Sequence, residues 1–191
     1  MSRIIAGSLA SRRFATPTGT RTRPTTDRVR ESIFAYLASA LGVADHDPCE
    51  QLAGLRFLDL FAGSGGVGLE AYSRGAEVTW VDKATAKVIE RNLDTLGASG
   101  RVVNMDVTRF LLKESSSFDI IWMDPPYETQ NTQISSILRL IDAHGWIKCG
   151  GLVLLERSGH GSAVEFSESF SNVGVRRYGD TTIFHAEKGD K

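Results

Sequence analysis

Apolar and polar positions alternate on two scales along this chain. Five short apolar runs, "LRFLDLF", "EVTWVD", "RVVNMD", "FDIIWMD" and "GLVLLE", are rich in branched and aromatic residues and long enough only for strands. Runs of this kind suit strands buried on both faces. Between them lie segments whose apolar residues recur at helical spacing, Val88, Ile89, Leu93 and Leu96 in one and "ISSILRLIDAHG" in another. Strands and helices taking turns predict a mainly parallel sheet with helices on both faces. The chain then closes on "VGVRRYGDTTIFHA", a hairpin pattern. Ahead of the alternating region, Val29, Ile33, Phe34, Leu37 and Leu41 form the apolar stripe of a helix over "RVRESIFAYLASALG", with Thr26 or Asp27 as its cap. "RIIAG" and "RRFAT" predict a short N-terminal hairpin, "TGTRTRPTT" a loop, and "VADHDPCEQLAG" a polar linker.

Composition changes this picture mainly at the N-terminus. The 191 residues, 41% hydrophobic and 24% charged, suit one compact domain with a small appendage. No apolar run reaches the roughly 18 residues of a membrane span, and Arg12 and Arg13 halt "RIIAGSLA" before a signal core forms, so a cytoplasmic location is expected. Cys49 and Cys149 stand a hundred positions apart and are expected as reduced, buried or half-buried thiols. His46, His144, His160 and His185 are equally scattered, and no metal is expected. The net charge of −1 hides an asymmetry: seven arginines against Asp27 give the first thirty residues +6, which leaves −7 for the rest. Arginine's planar fork suits phosphate. Residues 1–25 are therefore expected to be a basic hairpin arm for nucleic acid, and residues 26–191 the α/β domain. Arg3, Arg12, Arg13, Arg21, Arg23, Arg28 and Arg30 are the candidate nucleic-acid contacts. A chain lacking residues 1–20 is expected to fold.

The chemistry gathers at the predicted strand ends, where ligands bind in open α/β sheets. Asp59, Asp82, Asp106 and Asp124 each lie at such an end. The first strand-to-helix turn, "DLFAGSGGVGLEA", places Gly63, Gly65 and Gly68 in a G-x-G-x-x-G spacing. Asp82, nineteen residues after Gly63, suits a ribose, which leaves a nicotinamide oxidoreductase open for the loop alone. Asp59 argues for a different ligand. A carboxylate just before the glycines is awkward beside a pyrophosphate but favourable beside the ammonium of S-adenosylmethionine. That assigns Asp59 to the methionine end, Asp82 to the ribose and Asp106 to the adenine amine. At the fourth end stands "DPPY", in which Pro125 and Pro126 stop the strand and present Asp124 and Tyr127 rather than packing them.

"FLDLFAGSGGVGLEA", "VDKA", "MDV" and "DPPY", in this order, resemble the motifs of class I S-adenosylmethionine-dependent methyltransferases acting on exocyclic amines. "RPTTDRVRESIFAYL", "RIIAG" and "RRYGDTTI" resemble more narrowly the RsmD family of 16S ribosomal RNA guanine-N2 methyltransferases. The resemblance implies a Rossmann-like α/β fold, a mostly parallel seven-stranded sheet with an antiparallel terminal hairpin and a small N-terminal hairpin extension. It implies S-adenosylmethionine held also by Phe61, Ser64, Lys83 and Val107, which lie in the quoted motifs. It further implies a monomer without metal, acting on guanine 966 within a protein-bound small subunit or its assembly intermediate. An amine of DNA adenine or of a protein glutamine shares the chemistry and stays open. Guanine's amine is a weak nucleophile, so Asp124 and the Pro125 carbonyl are expected to accept its two N–H groups while Tyr127 stacks on the base.

Overall fold

The computed structural model describes residues 1–17, 25–114, 116–159 and 164–190. Its main sheet has seven strands in the order β5-β4-β3-β6-β7-β9-β8. β3 (Arg56–Leu60), β4 (Glu77–Val81), β5 (Arg101–Val103), β6 (Phe118–Met123) and β7 (Ile147–Ser158) run parallel, while β9 (Thr181–Lys188) pairs antiparallel with β7 and with β8 (Phe170–Tyr178). This is the Rossmann-like class I fold with its terminal hairpin. β3 pairs with both β4 and β6, so the strand order reverses there. Such a reversal opens a crevice at the carboxyl ends of the strands.

Successive strand residues point to opposite faces, which splits the apolar runs into two cores. Phe57, Trp80, Ile120, Trp122 and Leu154 face one side, packed with α1 (Asp27–Ala40), α2 (Gly66–Ser73) and α3 (Ala86–Leu96). Leu58, Val81, Ile121, Met123 and Val153 face the other, with α5 (Asn131–Ala143) and the five-residue α4 (Val107–Leu111), which the periodicity does not announce. The predicted stripe of α1 is buried apart from the half-buried Leu41, and Thr26 caps the helix by accepting the Val29 N–H at 3.3 Å. Cys49 and Cys149 depart from expectation: both thiols are exposed, one in the linker and one in a polar stretch of β7. His144 ends α5, His185 is half-buried against Tyr36, and His160 lies outside the described residues. No helix among the described residues is long and apolar enough to cross a membrane.

The N-terminal hairpin forms from β1 (Ser2–Arg3) and β2 (Arg13–Phe14). It does not stand apart from the sheet. Ile4, Leu9 and Phe14 are buried in the first core, and burying each such side chain stabilises by about 1.5–3 kcal/mol. The Glu70 carboxylate, fully buried on α2, accepts the N–H groups of Ile5 at 2.7 Å and Ala6 at 3.0 Å. Ser73 Oγ accepts the Leu9 N–H, and Asn92 on α3 exchanges two hydrogen bonds with the backbone of Ala15. Composition suggests an arm with little to bury, yet three apolar side chains and a buried carboxylate fasten it to α2 and α3.

Candidate active site

One cavity of about 320 Å³ opens at the carboxyl ends of the parallel strands. Its size falls within the range of small-molecule sites. The tips of β3, β4, β6 and β7 and the start of α4 line it, and one wall comes from the N-terminal region through Ser2, Phe14, Pro17, Thr25, Thr26 and Arg30. Twelve of the residues marked by sequence for the cofactor or the chemistry meet here: Asp59, Phe61, Gly63, Ser64, Asp82, Lys83, Asp106, Val107, Asp124, Pro125, Pro126 and Tyr127.

Asp59 forms the floor. It is 1% exposed, its Oδ2 accepts the Gly68 N–H at 2.9 Å, and burial pushes its carboxyl up to about 8, with the Asp82 charge adding to the rise. An isolated buried carboxylate of this kind favours a proton or a cation beside it. Asp82 shapes the rim: Oδ2 accepts the Gly63 N–H at 3.0 Å, and Oδ1 accepts those of Ala84 and Thr85. A carboxylate has about four acceptor sites, so Asp82 retains capacity for a hydroxyl. Thr85, in the same wall, buries a hydroxyl oxygen with no hydrogen-bond partner among the described residues. Such an orphaned polar atom beside an acceptor suits a ligand carrying vicinal hydroxyls. Asp106 caps α4 by accepting the Thr108 N–H, and the Lys83 ammonium, bonded at 3.0 Å, holds its carboxyl below the ordinary range.

Gly65 and Gly68 serve the site from behind. Gly65 adopts φ 81° as the N-cap of α2, a left-handed geometry that glycine tolerates. A Cβ there would approach Trp80 and Ile89 at 3.3 Å, away from the cavity lining. A Cβ on Gly68 would lie 2.1 Å from Trp80 Nε1, so this glycine lets α2 pack on β4 and lets its N–H reach Asp59. Neither residue lines the cavity, and the close approach that the glycine pattern assigns to a ligand is here an approach between helix and strand.

The acids on β6 and β7 form the other half. Met123 pairs with Leu155 across the two parallel strands, so Asp124 follows the end of β6 while Glu156 lies within β7, and both line the cavity. Loss of solvent pushes the Asp124 carboxyl well above its usual range, and the charges of Glu156 and Asp59 push it further while Arg157 opposes them. Thr25 Oγ1 donates to Glu156 Oε2 at 2.9 Å, and Arg157 Nη2 donates to the Thr129 carbonyl at 3.0 Å. Pro125 is buried, Pro126 is exposed, and Tyr127 is 52% exposed at the mouth. Sequence reasoning missed Glu156, although it ends a strand run as the four aspartates do. It also missed Arg157, Trp122, the Asp180–Thr181 turn and the N-terminal wall, which no local pattern ties to the site.

The seven arginines part company. Arg30 is corrected outright as an RNA contact: it is 2% exposed, donates to the carbonyls of Arg3 and Thr25 and to Asp27, and lies over the Phe14 ring. Arg12 donates to the Leu96 and Thr95 carbonyls at the end of α3, and Arg3 pairs with Asp27 at 3.0 Å. Arg13 and Arg28 are exposed, while Arg21 and Arg23 lie outside the described residues.

Known proteins share this architecture. The family model "Conserved hypothetical protein 95" matches residues 2–186. Ribosomal RNA small subunit methyltransferase D of Escherichia coli is 35% identical over 158 residues, covering 81% of this chain and 73% of that protein. A solved structure of the Escherichia coli protein yhhF superposes with a TM-score of 0.82 at 30% identity, over 99% of this chain and 98% of the other. The Thermus thermophilus 16S rRNA N2 G1207 methyltransferase RsmC, solved with AdoMet and guanosine, gives a TM-score of 0.71 at 23% identity, over 98% of this chain and 49% of that one. At that identity the likeness speaks for the fold alone.

Proposed function

The chain belongs to the Conserved hypothetical protein 95 family, the RsmD family of its motifs, and from that premise we propose that it methylates the exocyclic 2-amine of a guanine in small-subunit ribosomal RNA. S-adenosylmethionine is the cofactor, and the substrate is guanine 966 in a protein-bound small subunit in the cytoplasm, met by a monomer. The observation that carries this reading is the placement of "DPPY" at the tip of β6, opening into the cavity whose opposite half holds Asp59, Asp82 and Asp106.

The residues present fit the cofactor. Asp59 holds its ammonium, Asp82 and Thr85 its ribose hydroxyls, and the Asp106–Val107 turn its adenine. Bound there, it supplies a methyl group made electrophilic by a sulfonium. Asp124 accepts one N–H of the amine, the Pro125 carbonyl accepts the second, and Tyr127 stacks on the base. As the N–C bond would form, the methyl's bond to sulfur would break and leave its electron pair on a neutral thioether, and the amine would release one proton. Asp124, whose carboxyl is pushed up by burial and by two neighbouring acids, is tuned to receive it. A nicotinamide reading fares poorly, because it gives no part to the "DPPY" tip of β6 or to the buried acid beneath the glycine loop.

The test is transfer of labelled methyl from S-adenosylmethionine to small subunits lacking the modification, followed by mapping of the labelled nucleotide. Label on the 2-amine of one guanine is the expected result. Label on DNA adenine or on a protein glutamine instead, or stabilisation of the protein by NAD and not by S-adenosylmethionine, would overturn it.

A further inference from the structure

Arg157 stands where β7 outruns β6. Met123, the last residue of β6, pairs with Leu155, while Glu156, Arg157 and Ser158 continue past it and stay paired with Ile183, Thr182 and Thr181 of β9. Strand alternation gives Arg157 the face of Val153 and Leu155, on which α5 packs. Residues 124–130 form the loop that joins β6 to α5. Within that loop the Thr129 N–H donates to the Pro126 carbonyl at 2.9 Å, and Arg157 Nη2 donates to the Thr129 carbonyl at 3.0 Å. A paired strand thus holds the loop that carries Tyr127.

A backbone tether needs one donor and no charge. Arg157 brings a charge as well, into a cavity where acids already bear on Asp124. Loss of solvent, then the charges of Glu156 on β7 and Asp59 on β3, push the Asp124 carboxyl upward, and Arg157 opposes them. Lys83 and Arg30 line the same cavity but pair with Asp106 and Asp27. A protonated Asp124 would present a donor where the amine needs acceptors. Burial pulls the Arg157 guanidinium downward while the Asp124 charge supports it, and a guanidinium stays charged near neutral pH. Resting on the guanine-methylation reading above, we propose that Arg157 is a positioning residue for methyl transfer, which fastens the "DPPY" loop to the extension of β7 and keeps a positive charge within reach of Asp124, so that the amine meets an ionised acceptor.

The experiment measures single-turnover transfer of labelled methyl to small subunits lacking the modification, from about pH 6 to 9, with S-adenosylmethionine saturating at each pH so that Asp59 does not enter. In the unaltered protein the rate should rise with pH along an acid limb, and Asp124→Asn should abolish that limb. Arg157 lowers the Asp124 carboxyl, so removing its charge raises it. Arg157→Met should move the limb upward by about one pH unit, the low end for loss of a neighbouring opposite charge, and slow transfer about tenfold on the limb. Arg157→Lys keeps the charge without the planar fork, and should leave the limb in place while lowering the plateau. Hydrogen exchange at the amides of residues 127–130 should quicken in Arg157→Met. Stabilisation by S-adenosylhomocysteine should match the unaltered protein in both variants, and Arg157→Gln carries the same comparison if Arg157→Met does not fold. Faster exchange with an unmoved limb, or a limb moved equally by Arg157→Met and Arg157→Lys, would overturn the assignment and leave Arg157 a tie between strand and loop. Absence of transfer by the unaltered protein would instead overturn the guanine-methylation reading, and this assignment with it.

Discussion

Replacing Glu70 by glutamine tests whether the N-terminal segment is a wall of the enzyme or a separate arm. Glu70 is fully buried on α2, and both its oxygens are committed: Oε2 to the Ile5 N–H, Oε1 to the Ala6 N–H and to Arg74 at 3.0 Å. Glutamine has one oxygen and an NH2 group, so either rotamer turns a donor toward a backbone N–H or a guanidinium. Arg74, itself 7% exposed, would keep only the Gln51 oxygen and its place over the Phe34 ring. Breaking one side of a buried charge pair costs about 3–5 kcal/mol. For a chain of this size each kcal/mol shifts the melting temperature by about 2–4 °C, so a loss of about 6–20 °C is expected. Urea denaturation should give the matching free energy, and trypsin should cut faster at Arg3, Arg12 and Arg13. Deleting residues 1–16 removes the same donors together with Ile4, Leu9 and Phe14, and should leave a chain that fails to fold. A Glu70→Gln protein within about 1 kcal/mol of the original, with unchanged proteolysis, would refute the anchoring argument.

Asp124→Ala should reduce single-turnover methyl transfer by about 100- to 10,000-fold while S-adenosylhomocysteine affinity stays near normal; Asp124→Asn, which still accepts a hydrogen bond, should be milder, and full activity in either would remove Asp124 from the chemistry. Asp59 gives a pH dependence. Its folded carboxyl is raised to about 8 from 3.8, so its contribution to the free protein's stability is present below about pH 4 and is lost as pH rises toward 8. Binding an ammonium requires it ionised, so cofactor affinity should climb with pH and flatten above about 8, with a proton released near pH 7. Calorimetry in two buffers of different ionisation heat measures that proton, and a pH-independent affinity without release would exclude Asp59 as the ammonium's partner.

The strands and the acids that gather in the cavity were legible because buried parallel strands write their burial into short apolar runs, and acids at their ends stand out against them. The same rule extends to Glu156 at the end of "GLVLLE", whose importance depends on a neighbour thirty-two residues earlier that only strand register brings alongside. Gly65 and Gly68 were legible as glycines but not in purpose, since a turn that approaches a ligand and a turn that admits a tryptophan share one spacing. Arg30 carried a signal that composition hid. It falls on the face of Ile33, Phe34 and Leu37, three, four and seven positions on, which is the buried stripe of α1.

Moving Arg30 from surface to interior alters how the charged N-terminus relates to catalysis. Its guanidinium clamps the backbone of Arg3 and Thr25, and Thr25 in turn holds Glu156, so the hairpin, the start of α1 and the tip of β7 are joined by consecutive hydrogen bonds. Arg13 and Arg28 remain exposed on these same elements. A phosphate held by either would be held by a part of the molecule that also walls the cavity, within a single packed unit and not at the end of a flexible tether. On the proposed reading the backbone contact and the base contact share one frame of reference, and a base held at Asp124 is positioned by where its strand is gripped. Salt should accordingly weaken the approach of RNA more than it loosens the cofactor, whose proposed contacts line the cavity and do not include the exposed arginines.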